Sequence, residues 1–414
     1  MIRHAKKTRL IDIAHRLGVS KATVAAVLSA GGSGTVRFSE EIAEKIRRTA
    51  REMDYQPNIS AKTLAGRASK VIGILIDSHA AIPRFRILEG IEHEATLRGY
   101  RCMIGEAHDS LENLRRNYDI FMQHGVDGVV CLSHDYPGME EEFKRLFSDT
   151  LDKVVFIDAP NHPDASYINI DRAASTYQAV RHLHEQGARK IAFVRGQSLW
   201  KTTLQHEAGY RRAMEELGYQ ERELHIITTR KDFIQQREIS VESISCFIEH
   251  DVIPEKIDGI IGMNDLVSLA FIKALEAAGK SCPRDVMLVG YDNEKFSRYT
   301  APALTTVDEN YELQSKMIVD LLLEKINHPE KEMKGCFATV VPQLIIREST
   351  EKTEDGKNVI HPHRTSRRNS DHRHSGGDAS ARPEQGKTES QNNILHQSAE
   401  THWNGIHHVC RRLQ

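Results

Sequence analysis

Six cysteines in 414 residues, none in a C-x-x-C pair, supply neither a disulfide framework nor a tetrahedral zinc site. Cys102, Cys131, Cys246, Cys282, Cys336 and Cys410 are scattered, a usage that predicts a reducing compartment, the cytoplasm. Long apolar runs are missing too. The basic start Met1–Lys7 is followed by no apolar stretch of a secretory signal, and no later run reaches the ~20 apolar residues of a membrane span. Catalytic signatures are equally scarce: no nucleophile elbow, no H-E-x-x-H, no P-loop and no Gly-rich dinucleotide turn after a strand. Binding is therefore expected rather than turnover, with no cofactor and no metal.

What is present begins with charge asymmetry. The net charge is only −2, yet residues 1–70 carry fourteen Lys/Arg against six Asp/Glu, a basic module suited to phosphates on a near-neutral body. Within it, Ile11, Ala14 and Leu17 share a helical face, Gly18-Val19 supplies a turn, and Ser20 can cap a second helix whose Val24, Val27 and Leu28 point inward. This spacing predicts a helix-turn-helix, its second helix free to enter a major groove. Ser39 opens a third helix with Glu40 and Glu41 at its positive end and an apolar stripe of Ile42, Ile46 and Met53. Lys45, Arg47, Arg48 and Arg51 read as a solvated face.

Gly18-Val-Ser-x-x-Thr-Val24, then Asp54-Tyr-Gln-Pro-Asn58 with Ala61-Lys-Thr-Leu64, then Gly290-Tyr-Asp-Asn293 stand in an order that resembles the LacI/GalR family of bacterial transcription regulators, over residues 1–349. The resemblance implies groove or phosphate contacts from Ser20, Lys21, Ala22, Thr23 and Ser29. It also implies a hinge at 57–70, where Ala61 and Lys62 meet DNA and Leu64 wedges into the minor groove, kinking the duplex. Ala25 and Ala26 stand where the family often has a serine and an arginine, so direct base readout is expected to be weaker and the operator sequence cannot be transferred.

From Val71-Ile-Gly-Ile-Leu-Ile76 onward, strand-like and helix-like segments alternate. Strands are expected at Arg101–Ile104, Gly128–Leu132, Val154–Ile157, Lys190–Val194, His225–Thr228, Gly259–Met263 and Val286–Tyr291. Helices are expected at Ile87–Arg98, Leu111–His124, Ala173–Glu185, Glu207–Leu217 and Leu266–Ala278. Regular βα alternation means parallel sheets covered by helices, and so many strands divide into two lobes. The chain is expected to cross between lobes near Asn169–Asp171 and to return along Leu304–Ile326.

In such sheets ligands bind beyond the carboxyl ends of strands. That rule selects Asp77, Asp158, Asn264 and Asp292, whose fixed carboxylates and amides can orient a polar ligand. A strand-end Asp also commonly caps the next helix, the role expected of Asp171 and Asp265. The resemblance implies effector contacts for Asn264 and Asp292, and for Phe233 as a stacking ring. It places His206 where an arginine is usual, which puts a sugar or purine held through that arginine in doubt, with Arg84 as a replacement cation.

Beyond Glu351 the composition turns to His, Arg, Ser, Asn and Gln, with eight of the 22 histidines, and predicts a disordered tail without metal-ligand spacing. The fold expected is α/β: an all-helical headpiece (1–56), a hinge (57–70), a two-lobed periplasmic-binding-protein-like body of parallel sheets (71–349) and a tail (350–414). The function expected is a homodimeric regulator, a repressor, that binds double-stranded operator DNA under control of a small-molecule effector, sugar- or nucleobase-like, and has no membrane partner. The alternatives are a solute-binding receptor or a sugar- or nucleoside-processing enzyme with the same body.

Overall fold

A computed structural model describes residues 8–28, 37–55, 68–77, 82–133, 136, 138–196, 200–229, 234–235, 238–239, 241–331 and 333–351. The chain divides into two compact units, residues 1–69 and 70–414. Ser29, Ala61, Lys62, Leu64, Phe233 and the tail from residue 352 lie outside the described residues.

In the first unit, α1 (Leu10–Leu17) ends at Gly18, whose φ of 65° takes the left-handed turn that a side chain would resist. α2 (Lys21–Leu28) starts at Ser20, whose hydroxyl accepts the Thr23 N–H at 3.0 Å. α3 (Glu40–Glu52) is capped by Ser39. Ile13, Ala14, Val24, Ile46 and Ala50 close a small core across the three helices. The expected stripe on α3 is corrected at one position: Ile46 is fully buried, but Ile42 is 37% exposed. The α3 cations do sit in solvent, with Lys45 paired to Glu41 and Arg47 to Glu40, both at 2.8 Å.

The second unit holds two six-stranded sheets. The first contains β1 (Val71–Ile76), β2 (Arg101–Glu106), β3 (Gly128–Cys131), β4 (Val154–Ile157), β5 (Ser166–Ile170) and the late β13 (Phe337–Val340), in the order β13-β5-β4-β3-β1-β2, all parallel. The second contains β6 (Ile191–Arg195), β7 (His225–Thr228), β10 (Gly259–Ile261), β11 (Met287–Tyr291), β12 (Thr305–Asp308) and β14 (Gln343–Ile345), in the order β14-β12-β11-β10-β6-β7, antiparallel only at β14. A two-residue pairing, β8 (Ile234–Gln235) with β9 (Glu238–Ile239), lies apart. Strands buried on both faces need continuous apolar runs, and Val129, Val130, Val154 and Val155 are fully buried.

Three connections cross between sheets: β5 to β6, β12 to β13, and β13 to β14. The chain crosses where expected: β5 ends at Ile170 in the first sheet, and Asp171 caps the crossing helix α7 (Arg172–Glu185), whose Ala179 and Val180 pack in a core of the second sheet, by accepting the Ala174 N–H at 2.9 Å. The return segment crosses back, as expected. Its Thr305–Asp308 pairs within the second sheet, and only α11 (Tyr311–Asn327) packs on the first, with Ile318 and Leu322 in the same core as Ile72 and Ile74. The other body helices are α4 (Ile82–Leu97), α5 (Leu111–Gln123), α6 (Glu140–Phe147), α8 (Lys201–Glu216), α9 (Val241–Phe247) and α10 (Asp265–Ala277). No helix of the described residues is long and apolar enough to cross a membrane.

Candidate effector cleft and DNA-binding surface

The carboxyl ends of strands from both sheets open onto one cavity of about 600 Å³. Asp77 follows β1, Ser133 follows β3, Gly196 follows β6, Asn264 follows β10, Asp292 follows β11 and Glu309 follows β12; all six line it. Trp200 and His206 enter from the start of α8. A volume of this size suits a small molecule.

The predicted polar residues differ in what they have left to offer. Asp77 accepts hydrogen bonds from the Ser133 hydroxyl, the Tyr136 hydroxyl and the Asp109 N–H, so its carboxylate organises the cavity wall. Asp158 is 4% exposed and stands behind the lining, where it pairs with Arg84 at 3.2 Å and Arg172 at 2.6 Å. Arg172 also reaches Glu309 at 3.1 Å, so two cations and two carboxylates alternate in one buried network. Burial pulls the Arg172 guanidinium down, but Asp158 and Glu309 outweigh it and hold it above its ordinary value. Asn264 lines the cavity and uses its carbonyl oxygen to cap α10 through the Val267 N–H at 2.8 Å. That overturns the cap expected of Asp265, which is fully buried and accepts instead from Thr306 at 2.5 Å and from the Glu294 N–H at 2.7 Å.

Asp292 adopts φ 96°, and its carboxyl accepts the Tyr311 hydroxyl at 3.1 Å. His206 shares a hydrogen bond with Thr176 at 2.9 Å and sets its ring edge-on to Tyr291 at 4.6 Å. Burial, with Arg172 adding repulsion, lowers His206 to about 3, so the imidazole is neutral at physiological pH and does not stand in for an arginine.

Strand-end reasoning missed Arg172, Glu309 and Tyr136. Glu309 escapes it because β12, rich in threonine, lacks the apolar run that marks a buried strand. Trp200, one of two tryptophans in the chain, could have been found by its place just before a helix. Among the described residues no group of three His, Cys, Asp or Glu is arranged to hold a metal.

On the headpiece, Lys21 and Ala22 are exposed at the start of α2, and the Thr23 hydroxyl is shared with Ser20 at 2.8 Å. Ala26 is 5% exposed, so its side chain is turned away from any groove-facing surface.

Residues 9–58 match the model of bacterial regulatory proteins of the lacI family, and residues 180–350 match that of a periplasmic binding protein-like domain. The chain belongs to the lacI family. It is 29% identical to the HTH-type transcriptional repressor PurR of Glaesserella parasuis over 345 residues, 82% of this chain and 97% of that protein. The PurR repressor of Escherichia coli O139:H28 is 29% identical over 349 residues, 82% of this chain and 95% of its own length. Among solved structures, the lac repressor dimer bound to operator and the anti-inducer ONPF has a TM-score of 0.71 at 22% identity, covering 83% of this chain and 99% of that one. The CelR–cellobiose complex has a TM-score of 0.57 at 22% identity, over 83% and 100%. This lacI-family member is a DNA-binding transcriptional regulator controlled by a small molecule.

The cleft acids make the regulator's stability depend on pH. Burial pushes Asp292 well above the usual aspartate range, with Glu309, Asp265 and Glu294 adding to it, and burial pushes Asp265 up to about 7. A carboxyl raised in the folded state binds protons that the unfolded chain has released. Its stabilisation is complete below the unfolded value, near 4, and is lost as pH rises through the folded value. Stability should therefore fall as pH rises from about 4 through about 7, where Asp265 gives up its proton, and less steeply in Asp292→Asn, which removes one raised carboxyl and tolerates the positive φ. Urea midpoints at half-unit pH steps measure this; equal slopes would place the titration elsewhere.

Proposed function

We propose that this lacI-family chain is a homodimeric repressor whose two headpieces bind a pseudopalindromic operator, and whose cleft takes an effector that alters the separation of two hinges at residues 57–70. The observation that carries the reading is the cavity: its polar lining comes from the strand ends of two sheets joined by three crossings, so a bound molecule touches both lobes at once. Binding rather than turnover is supported by how the polar groups in and behind the lining are spent, with Asp77 held by Ser133 and Tyr136, and Asp158 and Arg172 tied into ion pairs. Lys21 and Ala22 are the exposed candidates for base edges, together with Thr23 and, for phosphates, Ser20. In the same reading Ser29, Ala61, Lys62 and Leu64 complete the contact with DNA.

With alanines at 25 and 26, specificity rests heavily on the hinge, and Leu64 tests it. Leu64→Ala keeps helix propensity and removes the wedge. It should weaken binding to an operator, selected from randomised duplexes, by roughly tenfold or more. Low-salt binding to random DNA, set by Lys/Arg counterion release, should hardly change. Equal losses on both duplexes would mean that Leu64 only supports the fold, and no loss on either would remove the hinge mechanism.

A further inference from the structure

Arg86 extends from one lobe to the other. It stands on α4, whose Ile87, Ile91 and Ala95 are buried in the core of the first sheet with Ile72 and Ile74. Its Nη1 donates to the Asp292 backbone oxygen at 3.0 Å and pairs with the Glu294 carboxylate at 3.7 Å, both just beyond β11 of the second sheet. The guanidinium also lies 4.6 Å from the centre of the Tyr311 ring, and the Tyr311 hydroxyl donates to the Asp292 carboxyl at 3.1 Å. Tyr311 belongs to the core of the first sheet too, so two side chains of one lobe close on one turn of the other.

That turn is fixed within its own lobe. The Asp292 N–H donates to the Val307 oxygen at 3.0 Å, the Glu294 N–H to the Asp265 carboxyl at 2.7 Å, and Arg347 to the Asn293 side-chain oxygen at 2.6 Å. A side chain rooted in one rigid body and bonded to another resists their separation. The Arg86 and Glu294 side chains are 33% and 17% exposed, so solvent screens their attraction less than that of a surface pair. Two other polar bridges join the lobes. Lys201 on α8 donates to Asn161, between β4 and β5, at 2.9 Å, but that bond is exposed. Arg172 pairs with Asp158, but it opens the helix that follows a crossing, where the chain itself already holds the lobes together. Arg84 and Ile87 on the same helix line the cavity and Arg86 does not, so it acts on the lobes rather than on a bound molecule.

We propose that Arg86 is a positioning residue: it clasps the lobes closed over the cavity and, through their separation, sets how tightly the headpieces hold an operator. Loss of its charge-assisted hydrogen bond and ion pair should move the ratio of open to closed lobes by about tenfold. The clasp stands whether or not the cavity takes an effector. Its hold on DNA binding rests on the proposed control of the hinges by the lobes.

Trp200 reports the separation, because it lines the cavity beside Lys201, which touches the opposite lobe. In the full chain with Trp403→Phe it is the only tryptophan. Arg86→Met, confirmed folded by circular dichroism, should raise acrylamide quenching of Trp200 by about twofold as the open population grows. Arg86→Lys, which keeps the charge, should raise it less. Glu294→Gln should also raise it, and the double variant with Arg86→Met should fall short of the sum of the two. Glu294→Gln leaves the α4 side untouched and gives the same test should Arg86→Met fail to fold. Binding to an operator selected from randomised duplexes should change by about threefold or more in the opened variants, with binding to random DNA at the same salt unchanged. Quenching that does not rise overturns the clasp and leaves the proposed function standing. Quenching that rises with no change in operator affinity overturns the link to DNA, and lobe separation as the control of the hinges falls with it.

Discussion

Arg172→Met should cost the body about 3–5 kcal/mol of stability, the largest loss expected from any single substitution at the cleft. The guanidinium is 6% exposed and is shared between Asp158 at 2.6 Å and Glu309 at 3.1 Å. Its removal takes a cation from two buried carboxylates. Methionine fills much of the vacated volume, so the loss is electrostatic rather than a cavity effect. Asp158 would retain Arg84 at 3.2 Å, which leaves Glu309 the more exposed to the change. Urea unfolding of the full chain measures the difference. The double variant with Glu309→Gln should recover part of the loss, because it takes away the uncompensated charge; a double variant no better than the single would show that shape, not charge, is what Arg172 supplies.

The second large effect is expected at Gly209. α8 crosses α7 so closely here that a Cβ would run into the backbone carbonyl of Ala173, an obstacle that cannot rotate aside. Alanine favours a helix interior by up to about 1 kcal/mol over glycine, but overpacking against fixed backbone costs about 1–3 kcal/mol, so the clash outweighs the helical preference. Gly209→Ala should therefore lower Tm and push the two helices apart. The same displacement would stretch the bond between Thr176 on α7 and His206 on α8, now 2.9 Å. Imidazole proton resonances followed against pH give the second readout. In the parent His206 should stay neutral down to about 3, whereas in the variant a wetter ring should titrate closer to 6.5. An unchanged Tm with unchanged His206 would mean that the crossing has slack which the distances do not show.

Both residues illustrate where sequence reasoning stops. Nothing in the sequence around Gly209 announces a backbone carbonyl contributed by another helix. Arg172 follows an aspartate correctly expected to cap a helix, and escapes notice because a single basic residue opening a helix usually lies in solvent. Its burial comes from Asp158 in the preceding strand-end loop and from Glu309, at the end of a threonine-rich strand with no apolar signature. The headpiece, by contrast, was legible almost residue by residue. Gly18 ends α1 in the left-handed region, Ser20 and Ser39 cap α2 and α3, and Ile42 is the departure from the faces expected.

The difference has a physical cause. Caps, turns and the periodicity of apolar residues are interactions over a few positions of chain, so the three headpiece helices, the buried strands such as Val154–Ile157 and the alternation of strand and helix were set by the sequence read locally. Family membership followed from motifs of the same local kind. Which strand-end acids are spent and which are free was decided only by tertiary structure. Asp77, Asp158 and Asp292 occupy equivalent places along their strands, yet Asp77 is saturated by Ser133 and Tyr136, and Asp158 is neutralised by Arg84 and Arg172. Asp292 is left among acids, with the Arg86 guanidinium beside it bound to its backbone from a position 206 residues away. Electrostatic state depends on what folding brings within a few ångströms of a carboxylate, and no pattern along the chain encodes that neighbourhood.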